Sequence, residues 1–285
     1  MQGGYIWMNG EIIPAERAGV KVNDYGFLYG FGLFETMRAY NGEPFMLEAH
    51  LERLNASLKA LGLSFRVDTD EMREAIRRLL HENGLSSGDS RIRLSVTPGE
   101  GRATGDLGSC RGPTIVILAS PISSDLDAVL ASGVSAVVYP RPRSLSGELA
   151  RMKLISYVEN LLARRYAKER GAFEAILLDR SGYVLEGSIS NLFMLKGERV
   201  VTPPVDLGLL PGITRSVVMR IATDLGIDVD EKPFRLGELL ESDGIFITNS
   251  VIGIVPIREL EGRKKGISEI VDALREVYLK GTRVV

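Results

Sequence analysis

One cysteine, Cys110, and two histidines, His50 and His81, are all that the 285 residues offer for thiol chemistry and imidazole ligation. A lone cysteine excludes an intramolecular disulfide, and a zinc site would have to be assembled from the two histidines and carboxylates, so no bound metal is expected. Neither sign of charge is in excess. With 35 Lys and Arg against 37 Asp and Glu, no net field draws the chain to nucleic acid or to an anionic membrane, and small molecules are the expected partners. Long apolar runs are missing as well: "TIVILA" is far too short for a bilayer. The opening "MQGGYIWMNGEIIPAE" lacks a basic stretch followed by an apolar run, which makes a cytoplasmic protein the expectation. No repeat of fixed period is visible.

What is present is an ordinary globular composition, 45% apolar and 25% charged, with material for two modest domains. "YIWMNGEII" sets two β-rich arms around Asn9-Gly10, and "GLFETMRAYNGEPFML" does the same around Asn41-Gly42, so two hairpins are predicted. Leu47, Leu51, Leu54, Leu58 and Leu61 then recur at helical spacing. A second helix over about 70–83 and the strands "RIRLSVTPGEG" and "PTIVILASPI" complete an α+β domain over 1–124. Residues 121–133 are polar, begin with Pro and show no period, which places a boundary near 125. The domain 125–285 reads as strand "VSAVVYP", a helix over 154–170, strands "EAILLD", "YVLEG", "NLFML" and "RVVTP", a helix opening at "GITRS", strand "GIFITNS" and a helix from about 267. It is also α+β, around a mainly antiparallel sheet.

Five features could carry chemistry. Lys153 sits between Met152 and the apolar pair Leu154 and Ile155, a setting that favours a neutral, nucleophilic amine, and Tyr157 follows by four residues and can share its helix face. Glu186 stands where a β-rich arm breaks at Gly187-Ser188. Pro211-Gly212 turns the chain into a helix whose first amides, Ile213 and Thr214, form a seat for phosphate. Asn249-Ser250 ends an apolar strand, and His50 and Arg53 share a helix face. Taken singly, each has an ordinary structural explanation: a snorkelling lysine, a strand-end acid in water, a plain helix start, a turn, a solvated helix. Together, a reactive lysine, a phenol, a carboxylate and two phosphate seats are what pyridoxal 5′-phosphate requires of a protein.

The ordered series "YGFGLFETMRAY", "EAHLERL", "KLISYVENLLA", "EGSISNLF", "TPPVDLGLLPGITR" and "TNSVIGIVPI" resembles the class IV aminotransferases. These are fold-type IV enzymes that include branched-chain and D-amino acid aminotransferases and aminodeoxychorismate lyase. The resemblance implies a two-domain fold with a smaller N-terminal and a larger C-terminal domain, a pyridoxal 5′-phosphate site between them, and a homodimer. It makes Lys153 the Schiff-base lysine, Glu186 the partner of the pyridine nitrogen and Tyr157 the neighbour of the phenolic oxygen. Arg53, Ile213, Thr214 and Ser250 would hold the phosphate. Tyr29 and Phe34 would face substrate, Tyr29 reaching toward a neighbouring subunit.

The reaction is less determined than the cofactor. Thr36 replaces the glycine of the branched-chain "FEG" motif, and Asn249-Ser250-Val251 replaces a Gly-Thr-Ala run. Both departures lean toward aminodeoxychorismate lyase, with Thr36 able to relay a proton. Arg38, Arg91, Arg93 and Arg102 are the candidate receivers of a substrate carboxylate, and alternation puts Arg91 and Arg93 on one face. The expectation is transamination between an amino acid and a 2-keto acid, with the lyase as alternative and a non-catalytic pyridoxal-phosphate-binding protein as a third reading.

Overall fold

The computed structural model describes residues 4–123, 125–266 and 268–282. Of these, residues up to 123 together with Met152–Ser156 form one compact unit, and 125–151 with 157–282 form a second.

In the first unit, β1 (Tyr5–Met8) and β2 (Glu11–Pro14) make the hairpin expected at Asn9-Gly10. The φ angles there, 48° and 99°, are the two positive values that a type I′ turn demands. A short helix that the sequence reading lacked, α1 (Tyr25–Tyr29), is capped by the Asp24 side chain, which accepts from Gly26 N. Next come β3 (Leu33–Tyr40) and β4 (Glu43–Pro44), paired over Asn41-Gly42, then α2 (Leu47–Ala60), α3 (Thr69–Glu82), β5 (Ser90–Thr97) and β6 (Thr114–Pro121). The sheet runs β2-β1-β6-β5-β3-β4, antiparallel throughout. Leu33 and Met37 of β3 and Ile92, Leu94 and Val96 of β5 pack with Leu51, Leu54 and Leu58 of α2 and Ile76 and Leu79 of α3. Alternation sends Phe34, Thr36 and Arg38, with Arg91 and Arg93 of β5, to the other face. Glu35 falls on the apolar side.

The second unit begins with α4 (Leu126–Ala131), a short helix inside the stretch that shows no sequence period, and β7 (Val134–Val138). After α5 (Gly147–Ala150) comes α6 (Val158–Glu169), so the helix expected over 154–170 is corrected at its start. The reason is long-range pairing: Phe34 N donates to Lys153 O and Ile155 N to Gly32 O, both at 2.9 Å, which draws residues 153–155 out straight along the head of β3. Lys153 and Tyr157 therefore do not share a helix face, and Tyr157 is the N-cap of α6.

The strands β8 (Glu174–Leu178), β9 (Val184–Gly187), β10 (Asn191–Lys196) and β11 (Arg199–Thr202) precede α7 (Ile213–Asp224). The chain continues through β12 (Val229–Glu231), α8 (Leu236–Glu241), β13 (Gly244–Asn249), β14 (Gly253–Leu260), β15 (Arg263–Lys264) and α9 (Glu269–Thr282). The expected start of that last helix, near 267, touches Ile267, which lies outside the described residues. Strand β14 escapes a local reading because Pro256 interrupts its run. The sheet order is β12-β11-β10-β13-β14-β7-β8-β9, with β15 on β14. Its pairings are mostly antiparallel, the exceptions being β11 with β12, β14 with β7 and β7 with β8. Ile176, Leu192, Met194, Ile245, Ile247, Val255 and Ile257 form its core. No helix among the described residues is long and apolar enough to cross a membrane.

Candidate active site

The predicted residues fall into two groups, one in each unit. In the first, Lys153 is half-buried and its Nζ stands 4.7 Å from the centroid of the Phe34 ring. The Arg93 guanidinium lies 3.8 Å from the same centroid, so a lysine and an arginine share one aromatic ring. Thr36 is the strand partner of Arg93 and Arg38 that of Arg91. Arg91 is exposed, as are Arg102 in the loop after β5 and Tyr29 at the end of α1. Arg38, by contrast, is buried and ion-paired with Asp89, which gives its guanidinium a structural partner at the turn before β5.

Arg53 reaches Glu35 through a fork, Nε to Oε1 at 2.9 Å and Nη2 to Oε2 at 2.6 Å. His50 Nδ1 lies 2.7 Å from the same Oε2. Glu35 was not singled out in the sequence, although an acid on the apolar side of a strand was the available signal. Burial pushes its carboxyl up, but the charge of Arg53 and the bonds from His50 and Arg53 outweigh this and hold it at about 2. Burial pushes His50 below its ordinary 6.5; Glu35 pulls the other way, and Arg53 and Lys153 add to the lowering. The ring is therefore neutral at pH 7 and donates its Nδ1 proton to the carboxylate, so the Glu35 charge is matched by Arg53 and aims that arginine.

Acid should expose this arrangement. A carboxyl lowered from 4.5 to about 2 contributes stability that is present in full above pH 4.5 and is lost as pH falls toward 2. The upper bound is about 3 kcal/mol. His50, lowered from 6.5, adds a loss that begins as pH drops below that value. The single tryptophan, Trp7, is buried in the core of this unit and reports its unfolding. Urea midpoints followed by Trp7 fluorescence should fall steadily below pH 6.5 and steeply below 4.5, and Glu35→Gln should remove the steep part. An unchanged acid profile in that variant would contradict the assignment.

In the second unit, Glu186 is the penultimate residue of β9 and is 5% exposed. Its Oε1 is ion-paired with Arg143, itself buried, and its Oε2 accepts from Leu210 N at 3.2 Å and Asn191 Nδ2 at 3.3 Å. Asn191 also donates to Leu210 O at 2.9 Å, tying Glu186 to the segment that enters α7. That helix starts at Ile213 with Gly212 as N-cap and no side-chain cap, which leaves its first amides for another acceptor. A Cβ at Gly212 would fall 1.9 Å from Asn191 Oδ1, so the position is reserved for glycine. Thr214 is buried within the first turn.

Tyr157 donates its hydroxyl to Ser188 O at 3.0 Å. Asn249 braces the turn that carries Ser250: its Oδ1 accepts from Val251 N and Ile252 N, and its Nδ2 donates to Ile189 O at 3.1 Å. Tyr157, Glu186, Asn249 and the start of α7 are thus joined through residues 188–191. Arg143 and Asn191 were not found by sequence reading. Arg143 lies 43 residues from its partner, with no local pattern to mark it.

The sequence profile of the family described as "Amino-transferase class IV" matches residues 32–260. A Methanocaldococcus jannaschii protein, named provisionally a branched-chain-amino-acid aminotransferase, is 38% identical over 280 residues, covering 96% of this chain and 94% of its own. The aminodeoxychorismate lyase of Bacillus subtilis is 33% identical over 279 residues, covering 96% and 94%. Among solved structures, a branched-chain amino acid aminotransferase from T.th., crystallised with pyridoxamine 5′-phosphate, superposes with a TM-score of 0.89 at 29% identity, over 99% of this chain and 95% of that one.

Proposed function

Because the chain belongs to the class IV aminotransferases, we propose that it is a pyridoxal 5′-phosphate enzyme that moves the α-amino group between an amino acid and a 2-keto acid. The observation that carries this reading is the Asn191 tie between the buried carboxylate of Glu186 and the uncapped start of α7. It sets an acid and an anion seat at a fixed separation, which suits a molecule with a basic ring nitrogen at one side and a dianionic phosphate at another. The donor set therefore fits the cofactor.

When bound, pyridoxal 5′-phosphate supplies an electron sink for the charge that develops at the substrate's α-carbon. Lys153 would hold the cofactor and would move the proton at that carbon. Glu186 would partner the ring nitrogen, with Arg143 as the counter-ion of its carboxylate. The amides of Ile213 and Thr214, together with Ser250 and Arg53, would receive the phosphate, and Tyr157 would face the phenolic oxygen. Arg93 is assigned to the substrate carboxylate because it shares the Phe34 ring with Lys153. A homodimer belongs to this reading, with the exposed Phe27, Leu28 and Tyr29 of α1 covered by a second copy. Sedimentation at the mass of one chain, 31.2 kDa, would refute that part.

A panel of L- and D-amino acids added to the purified protein tests the reaction. At least one should convert the bound cofactor to its amine form, and a 2-keto acid should restore the original spectrum. Thr36, beside Glu35 on β3, is where the lyase alternative is to be probed: Thr36→Gly should selectively harm any aminodeoxychorismate cleavage. A protein that never forms the amine state across the panel, yet releases pyruvate from aminodeoxychorismate, is a lyase and not a transaminase.

A further inference from the structure

We propose that Glu174 is a positioning residue, which sets the directions of Glu186 and Tyr157 by holding the turn between them. This rests on the reading above, in which those two side chains act on the cofactor. Glu174 opens β8 and is 0% exposed, and among the described residues no lysine, arginine or histidine is ion-paired with it. A carboxylate buried without a counter-ion persists only where donors surround it.

Here they do, and they come mainly from one turn. Oε1 accepts from Ala175 N at 2.9 Å, from Ser188 N at 3.0 Å and from the Ser188 hydroxyl. Oε2 accepts from the Ser190 hydroxyl at 2.6 Å and Ile189 N at 3.4 Å. The turn is closed by Gly187 N to Ser190 O at 2.7 Å. A Cβ at Gly187 would meet Ser190 Oγ at 2.4 Å and the Glu174 carboxylate at 2.7 Å, so the acid packs directly on the backbone.

The outward groups of this turn are the ones the site uses. Ser188 O accepts from Tyr157 OH at 3.0 Å and from Asn160 Nδ2 at 2.8 Å. Glu186 immediately precedes the turn, and Asn191, which bonds Glu186, immediately follows it. Ile189 O receives Asn249. One buried carboxylate thus fixes, through three consecutive residues, the partners proposed for the ring nitrogen and the phenolic oxygen. A glutamine could not do the same, because its amide end cannot accept from the backbone N–H groups that now point at both oxygens.

The test uses the holoenzyme with Glu174→Gln. Because Glu186 and Tyr157 would tune the cofactor's two titrating positions, the pH midpoint of its absorption band should shift by about one unit. Turnover should fall about tenfold with KM changed less than about twofold, and Glu174→Asp should recover part of both. Amide hydrogen exchange should quicken at 188–190 in the apoprotein as well. If Glu174→Gln does not fold, the double variant Ser188→Ala with Ser190→Ala removes both hydroxyl donors, and its midpoint should shift in the same manner. A midpoint and turnover equal to wild type in a folded variant, even with faster exchange, would reduce Glu174 to a fold component and overturn the inference alone. A wild-type protein with no cofactor band at all would overturn the proposed function and this inference with it.

Discussion

Lys153→Ala should leave a folded protein whose turnover is about 10⁴-fold slower, a loss of about 5.5 kcal/mol from the transition state. The fold should survive because the lysine's structural role lies in its backbone. Its carbonyl accepts from Phe34 N, and neighbouring Ile155 N bonds Gly32 O, neither of which depends on the side chain. The folded state loses, among other contacts, that of Nζ with the Phe34 ring, worth about 0.5–1 kcal/mol. Borohydride treatment of the wild-type protein followed by peptide mapping should find the cofactor on Lys153. A fixed adduct on another lysine, with turnover retained in Lys153→Ala, would show that the amine has been misassigned.

Glu186→Gln should bind the cofactor and turn over about 10²- to 10³-fold more slowly, roughly 3–4 kcal/mol. With Glu186 in the role proposed for it at the ring nitrogen, two effects act together. An amide cannot stabilise a protonated ring nitrogen as a carboxylate does, and it cannot satisfy the donors that now converge on Glu186. Arg143 addresses Oε1 while Leu210 N and Asn191 Nδ2 address Oε2, so whichever end becomes NH₂ meets a donor. The second effect predicts a lower Tm for the apoprotein as well, which separates it from the loss of charge at the ring. Wild-type turnover in this variant would place the required acid elsewhere.

The parts of this protein that depend on neighbours in the chain were legible in its sequence. Asn9-Gly10 and Asn41-Gly42 make their turns because these residues tolerate positive φ, here 48° and 99°, and 49° and 85°. The leucine spacing after Leu47 produces α2, since a 3.6-residue period can bury only one face. Pro211-Gly212 opens α7 for equally local reasons. The ordered motifs were sufficient to name the family, whose profile spans residues 32–260.

What only the tertiary structure decided are the pairings between distant residues. Residues 154–156 carry a pattern that suits a helix, yet ladder bonds from Gly32 and Phe34 pull the chain straight, because backbone groups beside a strand are better satisfied by it than by a new helical turn. The ion pair of Arg38, one of the candidate receivers for substrate, with Asp89 far along the chain is another such pairing. The counter-ion of Glu186 and the Glu174 hub leave no local signature, and Glu35 shows only as an acid on the apolar side of β3, with nothing nearby in the chain to mark Arg53 as its partner. A buried charge is tolerated only where folding delivers its partners, and those partners are chosen by topology, not by sequence spacing.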